Sequence, residues 1–314
     1  MQNPFIMFKS AASVNVEESE KRSIEESITT KPTQNFVTCI HRAKIAGFFR
    51  NVTITWSKSL IGHSLFIMVE NPSEETHSSC KIDLKTWQFW GRKGMKSFRV
   101  DEKRVDIYWD LRSAKFSSSP EPTSDYYVAF VSEEEVVLLL GDQKKEAFKR
   151  TRKAPSLSEP ALVHKKENVF AKKCFYTRTM LGQGQKEHDI IIESVLSDPC
   201  EPEMWISVDG TTTIRIVNLH WRFRGNETIE VDNVPVQILW DVHDWLYNDQ
   251  TSGAGGLGTF IFKQGTFEVE PDSDFDERIS SSEDSGDGSG EFPSPMELDS
   301  TADFCHFLYA WRTE

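Results

Sequence analysis

No apolar run in this 314-residue chain approaches the ~18 residues that a membrane-spanning helix needs. The first apolar stretch, Pro4-Phe5-Ile6-Met7-Phe8, is too short for a secretory signal, and Glu17, Glu18 and Glu20 are out of place in a transit peptide. A cytoplasmic protein is expected. Cysteine is sparse: Cys39, Cys80, Cys174, Cys200 and Cys305 are odd in number and form no CxxC pair. Free thiols are therefore expected rather than a disulfide framework or a zinc site. The chain has no G-x-S-x-G elbow, no P-loop and no H-E-x-x-H, so it offers no local motif for the common hydrolases, NTPases or zinc proteases. No catalytic residue, no metal site and no cofactor is expected.

Positive charge is also scarce overall, but the imbalance is local. The net charge is −13. Residues 266–303 hold 13 acidic residues against Arg278 alone, a local −12 that leaves only −1 for everything else. The opposite bias lies at 142–173, with ten Lys/Arg against four Asp/Glu. A neutral body with one acidic and one basic appendage gives no general nucleic-acid surface, and the basic run lacks the interleaved aromatics that nucleic-acid readout uses.

What is abundant is aromatic: 21 Phe, 9 Trp and 6 Tyr. After a Ser/Glu/Lys-rich arm at 1–34, expected to be disordered, the chain becomes short runs of Val, Ile, Thr and aromatics broken by Gly, Pro, Asn and Ser. Strands at this spacing predict an antiparallel sandwich or barrel. The one convincing helical stretch is "DQKKEAFKRTR" at 142–152.

Two sets of strands resemble each other. Trp87-x-Phe89-x-Gly91, Val100-Asp101 and Val105-x-Ile107-x-Trp109-Asp110 are followed by Trp221-x-Phe223-x-Gly225, Val231-Asp232 and Val236-x-Ile238-x-Trp240-Asp241. His41 and His63 pair in the same way with His164 and His188. The ordered series predicts an internal duplication. The fold class expected is all-β: two similar antiparallel sandwich- or barrel-like units in tandem, with few short helices. The expected division is a first unit at 35–141, a basic helical linker at 142–160 and a second unit at 161–314. Within the second unit, strand "GTFIFK" at 258–263 should pair with "DFCHFLYAW" at 303–311 across the acidic segment 266–302, expected to be a long disordered insertion in one hairpin.

Several long stretches carry a family likeness: "FVTCIHRAKIAGFFRNVTITWSKSL", "KIDLKTWQFWGRKGMKSF", "EPEMWISVDG", "VQILWDVHDWL" and the closing "FCHFLYAWRTE". From about Phe36 to Glu314 the chain closely resembles the plant family called domain of unknown function 868. The resemblance implies a land-plant protein and supplies no activity, ligand or catalytic residue.

Three clusters have a functional reading beside a bland one. Gly253-Ala-Gly255-Gly-Leu-Gly258 matches G-x-G-x-x-G, but a strand pattern follows where a dinucleotide site needs a helix, so it reads as a loop. Asp241 and His243 could share a cation on one strand face, yet no third ligand can be named. Trp87, Phe89 and Trp90, with their counterparts Trp221 and Phe223, either fill a strand buried on both faces or expose a ring to a cleft or partner. These five are the binding candidates. Ser280 and Ser281, each three residues before an acid (Glu283, Asp284), are phosphorylation candidates for acid-directed kinases. Two functional classes follow: a non-enzymatic interaction protein with a regulated acidic loop, or a β-barrel carrier of a small apolar or glycan ligand. An enzyme of unrecognised type is the third. The partner is unknown.

Overall fold

The computed structural model describes residues 35–60, 62–71, 76–85, 90–171, 173–183, 186–195, 201–247, 256–265 and 304–312. Of these, 70% lie in strands and 7% in helices, so the chain is all-β, as its sequence texture implies. The N-terminal arm, most of the Gly-rich run and the acidic segment 266–302 lie outside the described residues.

Alternation builds the first half. β1 (Asn35–Ile45), β2 (Phe48–Ser59), β3 (Gly62–Asn71) and β4 (Thr76–Lys85) pair successively as an antiparallel meander. Val52, Ile54 and Trp56 of β2 are buried on one face, and the residues between them are half-buried. β5 (Lys93–Val100), β6 (Lys103–Asp110), β9 (Tyr127–Ser132) and β10 (Glu135–Leu140) form a second sheet, to which the two-residue β11 (Ala154–Pro155) adds in parallel. A short hairpin, β7 (Lys115–Phe116) with β8 (Pro122–Ser124), fills the β6–β9 connection. The expected helix is present as α1 (Lys144–Thr151), which lays Ala147 on the outer face of β9 and β10.

The second half is also built of antiparallel meanders. β13 (Cys174–Leu181), β14 (Lys186–Val195), β15 (Glu203–Val208) and β16 (Thr211–Ile216) form one antiparallel sheet. β17 (Arg224–Val231), β18 (Val234–Asp241), β19 (Leu257–Gln264) and β20 (Cys305–Arg312) pair successively in the other. The β19–β20 pairing runs from Leu257 opposite Trp311 to Lys263 opposite Cys305, and Gln264 N–H donates to Phe304 O at 3.1 Å. A short α2 (His243–Tyr247) stands where the sequence suggested a strand end.

One strand belongs to neither meander. β12 (Ala161–Ala171) pairs antiparallel with β1 and parallel with β20, joining both halves into a nine-stranded sheet. The main buried apolar residues form two separate clusters, one within 43–138 and one within 175–310. β12 crosses the seam between them. His41 and His164, the expected counterparts, lie on these neighbouring strands, with Ile40 opposite His164 and His41 opposite Leu162.

Fine geometry recurs at a spacing of 131 residues. Trp109 Nε1 donates to Gly91 O at 3.0 Å, and Trp240 Nε1 donates to Arg222 O at 3.0 Å. Leu111 N–H donates to Arg92 O, and Val242 N–H to Phe223 O. The hairpin turns Asp101-Glu102 and Asp232-Asn233 both take positive φ at two successive residues, the arrangement that matches strand twist. The match of Trp87 with Trp221 made on sequence is therefore three residues out of step: Trp221 corresponds to Trp90, and Gly225 to Gly94. Trp240 is buried, whereas Trp109 is half-buried against the first core.

Those two glycines are required by the tryptophans. A Cβ on Gly94 would stand 2.5 Å from the Trp109 ring, and one on Gly225 2.4 Å from the Trp240 ring. Gly225→Ala should cost about 1–3 kcal/mol of stability through overpacking. Trp240→Ala should cost about 3–5 kcal/mol. In the double variant the clash disappears with the ring, so the loss should fall short of the sum. Denaturant titration of the three variants checks this; strictly additive losses would show that ring and glycine are uncoupled.

Candidate functional site

The inner face of the nine-stranded sheet is apolar within each half and polar at the seam. On β12 the alternation that should bury apolar residues buries Lys165 and Glu167 instead. Their cross-strand neighbours are Cys39 and Val37 on β1, and His306 and Leu308 on β20. Opposite them stand Thr177 and Arg178 of β13, Glu187 of β14 and Glu121 from the β7–β8 hairpin. A cleft of about 500 Å³ opens here, lined by Glu121, Lys165, Glu167, Tyr176, Thr177 and Arg178 among others.

Lys165 is the hub. Its Nζ donates to Arg178 O at 2.7 Å and lies 3.8 Å from Glu167 Oε2 and 3.9 Å from Glu121 Oε2. Thr177 Oγ1 donates to Glu167 Oε2. His306, fully buried, brings Nε2 to 3.5 Å from the same oxygen. Arg178 Nη1 pairs with Glu187 Oε2 at 3.2 Å at the rim.

These contacts set the protonation states. Burial works to raise the Glu167 carboxyl, but Lys165, His306 and Thr177 outweigh it and hold Glu167 below the usual carboxylate range. Burial likewise opposes the Lys165 charge, yet Glu167 and Glu121 keep its pKa above that of an ordinary lysine. Glu121 goes the other way: burial dominates, Glu167 and Glu187 add repulsion, and its carboxyl is pushed up. Burial strongly raises the Cys39 thiol. His306 is held down by burial and by Lys165.

A second lobe of about 330 Å³ shares Glu121, Tyr126, Lys165, Arg178 and Glu187 with the first as a common wall. Its far side is more apolar, with Ile54, Trp56, Leu138, Leu162 and Met180. His41 also lines it, its pKa lowered to about 4 by burial.

Trp87, Phe89, Ser280 and Ser281 fall outside the described residues. Trp90 opens the 3-10 turn Trp90–Arg92. Trp221 lies in a turn after β16, where a continuing strand was expected; its N–H donates to Asn218 O at 2.9 Å and its side chain is 86% exposed. Phe223 is half-buried, 5.0 Å from the His243 ring. Neither Trp221 nor Phe223 lines the cleft. Asp241 accepts from Arg224 Nε at 2.6 Å and from His243 N–H at 3.2 Å, a strand-end turn. Among the described residues no group of three His, Cys, Asp or Glu side chains could hold a metal ion. Cys39, Cys80, Cys174 and Cys305 are free thiols. No helix among the described residues is long and apolar enough to cross a membrane.

The fold and cleft define an all-β protein of two meander units joined through a shared strand. A family model described as a plant protein of unknown function (DUF868) matches residues 32–312, and the chain belongs to that family. No curated protein and no solved structure matches it.

Two expectations follow. Lys165→Met strands the Glu167 charge and should cost about 3–5 kcal/mol, whereas Lys165→Met combined with Glu167→Leu should recover most of that loss. A double variant no more stable than Lys165→Met on denaturant titration would contradict this. The second concerns pH. His41, His63 and His306 all have lowered pKa values, burial being the largest cause in each. As pH falls below about 6.5 the unfolded chain takes up protons that the folded one refuses, so stability drops. His41→Gln should flatten part of that slope towards pH 4; an unchanged slope would contradict it.

Proposed function

We propose that the protein is a non-enzymatic binding protein that holds a small polar ligand in the cleft between its two units. The supporting observation is the convergence of Glu121, Lys165, Glu167, Thr177 and Arg178, from three separate elements, on one cleft of about 500 Å³, within the size range of small-molecule sites. Convergent titratable groups are also what an enzyme needs. Here, however, Cys39, Cys174 and Lys165, the thiols and the amine that line the lobes, all have pKa values raised by their surroundings, which holds them protonated. That favours recognition over covalent chemistry.

The same reading takes the 131-residue recurrence as an internal duplication and places the protein in the plant cytosol, with Ser280 and Ser281 as modification sites in the acidic segment. A protein partner is the second reading, favoured by one observation: the large exposure of the Trp221 ring, a common interface anchor.

A thermal-shift screen of the full chain against plant small molecules tests the first reading. A ligand at about a hundred times its Kd should add about 2.7 kcal/mol of stability, and Glu121→Gln should abolish the shift. A hit unaffected by Glu121→Gln, or turnover of the hit, contradicts it. Retention of the shift in Trp221→Ala separates the cleft from the exposed ring.

A further inference from the structure

The cleft has more chemistry than its size, and that chemistry narrows the ligand. Resting on the binding reading above, we infer that the ligand is an amphiphile: a neutral, hydroxyl-rich ring bearing an apolar substituent, as in a glycoside of an aromatic or aliphatic alcohol.

The argument for the polar head starts at Lys165. One ammonium N–H is used by Arg178 O. The carboxylates of Glu121 and Glu167 stand at 3.9 and 3.8 Å, beyond direct hydrogen-bond distance. An oxygen set among the three lies within reach of each, provided it accepts from the ammonium and donates to a carboxylate. A hydroxyl does both. A phosphate or carboxylate oxygen only accepts, and would face Glu121, Glu167 and Glu187. An ammonium only donates, and would face Lys165 and Arg178. The mixed sign of the wall therefore selects against both kinds of ion. Asn168, which is buried, and Thr177 add further neutral donors and acceptors to the same lobe. Tyr176, half-exposed, adds an aromatic ring to the lining of this lobe.

The argument for the apolar substituent is the second lobe. It shares the Glu121–Lys165–Arg178 wall, so a ring held there directs a substituent past the wall towards Trp56, Leu162 and Met180. Burial keeps His41 in this lobe neutral, so the side of the lobe away from the shared wall carries no charge to oppose an apolar group.

The test is calorimetric titration of the full chain with phenyl β-glycosides of glucose, galactose, mannose and xylose, with the free sugars, with phenol and with phenyl phosphate. At least one phenyl glycoside should bind about tenfold tighter than both its sugar and phenol, a gain of about 1.4 kcal/mol. Glu121→Gln should remove binding of sugar and glycoside while sparing that of phenol. Met180→Gln, which keeps the side chain's length, should reduce the glycoside to the affinity of its sugar. Melting curves and circular dichroism of both variants confirm folding. Phenol or phenyl phosphate binding as tightly as every glycoside overturns the inference but leaves a small-molecule cleft in place. No binding by any glycoside also overturns it, and the broader thermal-shift screen then decides separately whether the cleft binds small molecules at all.

Discussion

β12 makes backbone hydrogen bonds along both edges, to β1 on one side and β20 on the other, and the shape of the molecule follows from that double pairing. Each half has its own meanders and its own apolar cluster. A parallel neighbour such as β20 needs a long crossover, and here the whole second unit supplies it. Where two cores abut across a continuous sheet, the face of the joining strand touches neither core fully. Lys165 and Glu167 occupy that position, and the cleft is the space they keep open.

Such a seam costs stability. A buried ion pair of this sort is often matched or bettered by an apolar replacement. The rest of the sheet shows that the chain can fill inward positions with Val, Ile and Phe, so the seam stands out as a local exception. Its charges do not simply cancel. Glu167 is held ionised by three partners, while Glu121 is pushed towards its neutral form by burial and by the carboxylates around it. A wall with an ammonium, an ionised carboxylate and a carboxyl of raised pKa can both give and accept hydrogen bonds, which suits recognition of neutral polar groups.

Much of the fold was legible because strand alternation is local. The pairing of β19 with β20 across the acidic segment could be read from two alternating runs alone, and α1 from its composition. The place of β12 could not, because nothing in "ALVHKKENVFA" says which two strands will flank it. The likeness of the two Trp-Asp strands was visible in sequence, but the 131-residue spacing kept by the indole hydrogen bonds to Gly91 and Arg222 differs by three residues from that of the W-x-F-x-G match. The cleft was not legible at all. Glu121 and Glu187 look like ordinary surface acids in sequence, and Lys165 looks like part of a basic run. Only long-range pairing brings them together. The exposure of Trp221 was hidden for a related reason: it follows from a turn at 217–223 that interrupts what reads as one strand.

The order of synthesis gives β12 a second task. Some 130 residues separate its end from the start of β20, so at ~5–20 residues per second its partner emerges on the order of ten seconds later. Until then an 11-residue strand already paired to β1 presents an open edge, the kind of template on which nascent chains aggregate. Lys165, Lys166 and Glu167 lie in the middle of that edge, and placing charge there is a recognised defence against wrong pairing. The residues that later line the cleft thus also guard the unfinished sheet while the ribosome completes it.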